Sequence, residues 1–291
     1  MDSDQGNLLV IGARSLVGRR LREAVTGPEG WKGEVRFTSR QQLANQSLVL
    51  DFANPEAFQP GMVFRNVIFC TPVWLGSDRL FRHLESLGMQ RLVAFSSTSL
   101  FTKETSGSQA ERGVVRQLLD GEKSTIDFCA DRDIGWTILR PTLIYDEGQD
   151  ENVSRIASTI RKLGFFPVCP PASGLRQPVH ARDLAVAALK ALRSDAARGQ
   201  AYNLSGGDSL TYRAMVARIF EAMGRKPAIL DVPEGVWRLL FGALKTVQPR
   251  RDLKENLDMA LRMNRDLWFD SASATRDFGY SPEPFRPNFK P

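Results

Sequence analysis

The stretch Leu8-Leu9-Val10-Ile11-Gly12-Ala13-Arg14-Ser15-Leu16-Val17-Gly18 decides the fold. An apolar run of strand length enters a glycine turn and an amphipathic stretch follows, so strand, turn and helix come in the order a dinucleotide site requires. Gly12 permits the tight turn, and Gly18 permits close packing of helix on strand. The backbone N–H groups at the helix start, at Ser15, Leu16 and Val17, then face a pyrophosphate. Ser15 stands where the motif has its middle glycine, so its side chain must point away from the phosphates. An ordinary strand-to-helix turn is the alternative reading of so short a motif.

The same rhythm continues through the first half of the chain. Candidate strands lie at Leu8–Ile11, Val35–Thr38, Leu48–Asp51, Val67–Cys70, Leu92–Phe95 and Thr137–Leu139. Most are too apolar to leave one face in water, which suits strands of a parallel sheet covered on both sides. Between them, Leu16–Val25, Ser77–Leu87 and Val114–Ala130 carry apolar residues at spacings of three and four, as helices packed on a sheet do. The pattern predicts a doubly wound α/β, Rossmann-type fold. Residues 1–145 are read as its core. Residues 146–291 are read mainly as a smaller α/β substrate lobe, with segments that return to the core.

In that second part Phe165-Phe166-Pro167 and Cys169-Pro170-Pro171 read as breaks, followed by a helix at Ala181–Leu192 and a short strand at Tyr202–Leu204. Further helices are expected at Tyr212–Met223 and Glu234–Thr246. A lobe here would close over the carboxyl ends of the strands, where open α/β sheets bind ligands. The apolar run Val236–Leu244 is read as packing of that lobe rather than a lid, a partner surface or a membrane contact. Pro249-Arg250-Arg251 beside it is too short for a polybasic anchor.

Composition narrows the classes. The chain has 291 residues, 42% hydrophobic and 25% charged, which is ordinary for a folded soluble protein. No apolar run approaches the ~18 residues of a membrane-spanning helix, and the acidic start Met1-Asp2-Ser3-Asp4 is unlike a secretory signal. A cytoplasmic location is expected. Cys70, Cys129 and Cys169 are far apart and in no CxxC arrangement, and the only histidines are His83 and His180, so neither a disulfide framework nor a metal site is expected. The net charge of +6 comes from Lys and Arg interleaved with acids, which argues against nucleic acid and fits a small anionic ligand.

The end of the second strand selects among dinucleotides. An NAD site presents an acid there, about 20 residues past the turn, to the ribose hydroxyls. This chain has Phe37-Thr38-Ser39-Arg40 instead. A hydroxyl followed by a guanidinium suits a 2′-phosphate, and Arg14 in the turn offers a second contact. NADP is the expected cofactor and NAD the alternative; two solvated surface arginines would be the plain reading.

With these residues in view, nearly the whole chain resembles the extended short-chain dehydrogenase/reductase family, the NAD-dependent epimerase/dehydratase group. Asp51-Phe52 looks like the family's acid after the third strand, near the adenine. Phe95-Ser96-Ser97-Thr98-Ser99-Leu100-Phe101 is similar to its serine-rich fifth strand end, and Leu139-Arg140-Pro141 with Ile144-Tyr145 to its segment beside the nicotinamide. Pro178-Val179-His180-Ala181-Arg182-Asp183-Leu184-Ala185 resembles a later family segment, as Tyr202-Asn203-Leu204-Ser205-Gly206-Gly207 resembles the strand and turn that introduce the substrate lobe. The resemblance implies cofactor contacts from Gly12, Arg14, Ser15, Leu16, Val17, Gly18, Arg40, Asp51, Phe52, Thr71, Pro72, Ser96 and Pro141. It also implies a small polar substrate, such as a sugar nucleotide, and is compatible with a homodimer.

The family's catalytic tyrosine, with a lysine four residues on, is missing. The tyrosines are Tyr145, Tyr202, Tyr212 and Tyr280, followed four residues later by Gln149, Gly206, Val216 and Pro284. If Glu122 matches the acid that follows the pair in the family, Val114 and Leu118 occupy the two places, and an apolar pair transfers no proton. Ser97 remains the candidate catalytic residue, able to donate a hydrogen bond to a carbonyl; capping a strand end is its plain reading. Tyr145 and Lys103 are substitutes by position only. Two functions stay open: an atypical NADP-dependent oxidoreductase or epimerase, and a catalytically silent NADP(H)-binding redox sensor or assembly subunit.

Overall fold

Strands buried on both faces need parallel neighbours and helical cover, and the chain supplies both. In the computed structural model, which describes residues 5–27, 30–41, 48–104, 106–239 and 259–289, the strands of the first half are β1 (Leu8–Ile11), β2 (Val35–Ser39), β3 (Leu48–Val49), β4 (Asn66–Phe69), β5 (Arg91–Phe95) and β6 (Gly135–Pro141). The helices among them are α1 (Leu16–Ala24), α2 (Asp78–Ser86), the single turn α3 (Ser99–Thr102) and α4 (Gln109–Ala130). Then follow β7 (Ile144–Tyr145), α5 (Val153–Leu163), β8 (Phe166–Val168), β9 (Leu175–Arg176), β10 (Val179–His180) and α6 (Ala181–Arg193). The chain continues through β11 (Gln200–Leu204), β12 (Leu210–Thr211), α7 (Tyr212–Ala222), β13 (Ile229–Asp231) and a late helix at Ala272–Phe278.

Seven strands form one sheet in the order β11-β6-β5-β4-β1-β2-β3, every pair parallel. The chain reverses its winding direction at β1, between β2 and β4, and such a switch point opens the crevice where α/β sheets take ligands. Val17 and Leu21 of α1 and the alanine-rich α6 cover one face in a common core with Val10, Ile68 and Val93. Leu80, Phe81 and Leu84 of α2 and Leu118 and Phe128 of α4 cover the other, against Leu9, Phe69 and Leu92. The doubly wound expectation is met.

A third, separate core joins α5 and α7 through Ile156, Ile160, Met215, Ile219 and Phe220, with Phe166, Val168 and Phe285 packed among them. Residues 200–204 are a segment that returns to the main sheet: Tyr202–Leu204 is part of β11, its edge strand, Tyr202 pairs in register with Leu139, and the turn after it leads on to β12 and α7. Phe166-Pro167 does not break structure, contrary to expectation. Those residues form β8 with Val168, pairing parallel with β13 in a two-stranded sheet where proline's missing donor is tolerated at an edge.

Other boundaries shift locally. The third strand stops at Val49 and Asp51 lies in a turn; α4 begins at Gln109, capped by Ser108, rather than at Val114. Of the helix expected at Glu234–Thr246, residues 234–239 are helical. Its remainder, with Phe241–Leu244 and Pro249-Arg250-Arg251, lies outside the described residues, as does the acidic start Met1–Asp4. Among the described residues no helix is long and apolar enough to cross a membrane.

One ion pair ties the first helix to the entry of the lobe. Arg20 on α1 donates to Asp146 from Nε at 3.0 Å and from Nη2 at 2.5 Å, and the Asp146 side chain is only 3% exposed. Asp146 begins the loop to α5, and the amide of Asp146 donates to Asp150, which also accepts from Ser154 in the first turn of that helix. Arg20→Ala leaves a buried carboxylate unpaired and is expected to cost about 3 kcal/mol, read from urea unfolding at neutral pH. A loss below about 0.5 kcal/mol, typical of a surface pair, would show that the pair does not hold the two units together.

Candidate dinucleotide site

The turn after β1 has the geometry the sequence requires of it. Gly12 has φ +96°, and a Cβ there would stand 2.8 Å from Thr71 Cγ2 and 3.1 Å from the Cys70 carbonyl carbon. A Cβ on Gly18 would stand 2.2 Å from the Gly12 carbonyl oxygen, so α1 lies on the strand end at a distance only glycine allows. Ser15 is the N-cap of α1: its Oγ accepts from Gly18 N at 2.9 Å. The hydroxyl is thereby turned back onto its own helix, which is how a serine is accommodated at this position. Within the first turn the cap takes the amide of Gly18, leaving those of Leu16 and Val17 without an intrahelical acceptor.

Around the turn, the strand ends bring most of the expected contacts to one edge of the sheet. Arg14 is exposed, and its Nη1 lies 3.5 Å from Gln41 Oε1, next to the exposed Arg40 at the end of β2. Two exposed arginines thus stand near the end of β2, and no acid stands there. Asp51 is exposed and accepts from Ala53 N at 3.0 Å, while the Phe52 ring stacks on Phe69 at 6.0 Å. Thr71 follows β4 beside Gly12 and Pro72 is exposed. Ser96 N donates to the Leu139 carbonyl, and the Pro141 carbonyl accepts from Thr98 N and Oγ1, each at 3.1 Å. Thr71 Oγ1 and Ser96 Oγ are shielded from water and have no partner among the described residues. Buried hydroxyls are seldom left unused, and these two sit on adjacent strands at the carboxyl edge. The glycine cradle and the two orphan hydroxyls fit a bound dinucleotide.

The chemistry-bearing groups are less complete. Ser97 is half-buried, and its Oγ accepts from Ser99 N at 3.1 Å, so the hydroxyl proton stays available for a carbonyl. Glu122 on α4 pairs with Arg140 on β6 at 2.5 Å, which brings the helix face carrying Val114 and Leu118 against the core. Leu118 is 3% exposed and both residues pack among Leu100, Ile138 and their neighbours. Tyr145 is no substitute acid. It is buried in the lobe between His180 and Phe285, and burial, with Glu147 and Asp183 adding to it, pushes its phenol well above the usual tyrosine range. Lys103 is engaged: its Nζ lies 3.1 Å from Glu111 Oε1.

Sequence reasoning missed two clusters, each completed by a residue distant in the chain, His180 in one and Arg262 in the other. Asp146, Glu147 and His180 converge within 4.8 Å. Arg20 forks onto Asp146, His180 Nδ1 accepts from Arg182 N at 3.0 Å, and its Nε2–H points at Glu147 Oε2, 3.2 Å away. Each of the three side chains thus has a protein partner. The second cluster joins the core to the segment 262–264: Glu111 accepts from Arg262 at 2.6 Å and from Ser106 at 2.5 Å, besides the Lys103 contact.

The comparisons with known proteins concern the fold. No family model matches the chain, and no curated protein matches it by sequence. Solved structures match along almost all of it. An epimerase from the methanogen Methanothermobacter thermautotrophicus superposes with TM-score 0.70 at 16% identity, over 96% of this chain and 88% of that one. UDP-glucose 4-epimerase of Thermotoga maritima, solved with UDP-glucose, gives 0.68 at 14%, over 95% and 94%. A short-chain dehydrogenase/reductase superfamily protein of Agrobacterium tumefaciens with bound NAD gives 0.68 at 13%, over 95% and 92%. The fold is the one these proteins share.

The Glu111 cluster yields a pH test. Burial alone would raise the Glu111 carboxyl, but hydrogen bonds from Arg262, Ser106 and Lys103 outweigh it and hold the group at about 2, against 4.5 when free. The stabilisation is therefore complete above about pH 4.5 and lost as pH falls towards 2, on the order of 3 kcal/mol in total. Glu111→Gln is expected to flatten the stability profile across that window. An unchanged acid limb in chemical denaturation would refute the assignment.

Proposed function

We propose that this chain binds NADP(H) across the carboxyl edge of its sheet and acts as an atypical oxidoreductase or epimerase on a small polar substrate. The observation that carries this reading is the Gly12–Gly18 cradle, with helix amides open to a pyrophosphate. Preference for the phosphorylated dinucleotide rests on Arg14 and Arg40 beside a strand end that lacks an acid. Asp51 and Phe52 would border the adenine, Thr71, Pro72 and Ser96 the middle of the cofactor, and Pro141 the nicotinamide end. Similarity to a UDP-glucose epimerase of the same fold makes a sugar nucleotide a reasonable first substrate to try. When bound, the nicotinamide supplies hydride transfer. Ser97 would donate a hydrogen bond to the substrate oxygen, and the missing proton donor would be water or a substrate group.

A second reading has its own observation. The face of α4 that carries the family's tyrosine and lysine holds Val114 and Leu118 here, packed into the core. Such a protein would hold the dinucleotide as a sensor or subunit without turning it over.

Titration of the four nicotinamide dinucleotides separates binding from an empty scaffold. NADP(H) is expected to bind about tenfold or more tightly than NAD(H), and Arg40→Ala is expected to erase most of the difference. Equal affinities in the parent protein would overturn the preference. NADPH consumption with a panel of sugar nucleotides and small carbonyl compounds then divides the readings. Turnover that falls about a hundredfold in Ser97→Ala supports the enzyme, and binding without any turnover supports the silent protein.

A further inference from the structure

The small lobe turns an apolar face to water. In the parallel pair of β8 and β13, Phe166 lies opposite Ile229 and Pro167 opposite Leu230, and Phe166 N donates to the Ala228 carbonyl at 3.0 Å. Side chains alternate across a strand, so Phe166, Val168 and Ile229 share one face, while Phe165, Pro167, Ala228 and Leu230 share the other. The first face packs into the third core. The second does not: Phe165 is 38% exposed and Leu230 50%, with Pro227 and Ala228 exposed beside them. The last turn of α5 joins this face. Its buried stripe runs through Val153, Ile156, Ala157 and Ile160, and the next member, Leu163, is 55% exposed because the stripe outruns the core.

Cations border the same face. The two chains enter the strand pair side by side, one as Lys162-Leu163-Gly164-Phe165 and the other as Arg225-Lys226-Pro227-Ala228. Arg225 Nη1 donates to the Ile160 carbonyl at 3.1 Å, which holds the second chain against the end of α5. Lys162, Arg225 and Lys226 are exposed. The acids of these segments do not cancel them. Within 161–168 and 221–239 the acids are Glu221, Asp231 and Glu234. Asp231 is matched by Arg213 and Glu234 by Arg238, which leaves Glu221 against the three cations.

The combination selects the occupant. Nucleic acid would engage the cations and leave Leu163, Phe165 and Leu230 in water. A second copy related by a two-fold axis would set the same cations against one another, and like charges across an interface are costly. An anionic bilayer uses both features. Its boundary of headgroups and acyl chains takes alkyl and aryl side chains, while lysine and arginine reach the lipid phosphates on their long stems. We infer that this face of the lobe is a peripheral docking site for an anionic phospholipid membrane, with Leu163, Phe165 and Leu230 inserted and Lys162, Arg225 and Lys226 at the headgroups. No residue assigned to the dinucleotide belongs to it.

Flotation of the full chain with vesicles tests this, using phosphatidylcholine alone and phosphatidylcholine mixed with phosphatidylglycerol. Partition onto the mixed vesicles is expected to exceed that onto phosphatidylcholine about tenfold or more, and to fall at high salt. Leu163→Ser/Leu230→Ser and Lys162→Glu/Lys226→Glu are each expected to lower it about tenfold. The substituted side chains are exposed, so circular dichroism and melting should match the parent. The inference is overturned if the parent does not float with the mixed vesicles, if it binds neutral vesicles equally well, or if either double variant binds as the parent does. A dimer in sedimentation velocity that Leu163→Ser/Leu230→Ser dissociates would also overturn it, by giving the face to a second copy. The assay needs no dinucleotide, so failure here and failure of the proposed function are distinguishable.

Discussion

The structure depends on the approach of α1 to the end of β1. A helix that starts directly above a strand end has its amide groups and its dipole aimed along the sheet's carboxyl edge. Gly18 over the Gly12 carbonyl is what permits it, since any side chain there would meet the oxygen at 2.2 Å. That contact fixes where α1 runs, and α1 in turn sets the place of α6, which shares its core. The strand order turns at the same point, so the gap between β2 and β4 above β1 is both a packing consequence and a ligand crevice.

From this anchor two charged links reach outward. Arg20 carries α1 to Asp146 and the lobe; Arg140 and Glu122 bind the end of β6 to α4. The first joins residues 126 apart in the chain and the second residues 18 apart, and in each the carboxylate is almost fully buried while the arginine keeps a partial hold on water. In both the guanidinium meets the carboxylate through two nitrogens, which gives these links direction as well as energy.

Much of this was legible in the chain. Leu8–Ile11 followed by Gly12 and Gly18 declared the strand, turn and helix because local sterics leave glycine little competition there, and runs such as Leu92–Phe95 declared a covered sheet through composition alone. Asp51 was expected at a strand end and lies instead in a turn, because the partner edge at β2 offers only Thr38 and Ser39 to pair with. Tyr202–Leu204 was legible as a strand but its neighbour was not: a few residues fix a strand, while the edge it joins is decided by the surface β6 leaves uncovered. The clusters around Asp146 and Glu111 were invisible for the same kind of reason. Each is completed by a residue from a distant segment and carries no spacing that one sequence reveals.

The separation between binding and chemistry follows from where each is encoded. The cradle at the end of β1 is built from backbone, and its sequence requirement is the absence of side chains at Gly12 and Gly18. Proton transfer by a tyrosine and lysine on α4 needs two polar groups at the core's margin, each of which must be desolvated and kept satisfied at some expense of stability. Val114 and Leu118 on that helix face contribute apolar burial, and the Glu122–Arg140 pair secures the helix to the sheet. A backbone cradle and a set of polar reacting groups are therefore under different physical constraints. Ser97 stands between the two sets: its oxygen already serves the local backbone, and only its proton is left for a ligand.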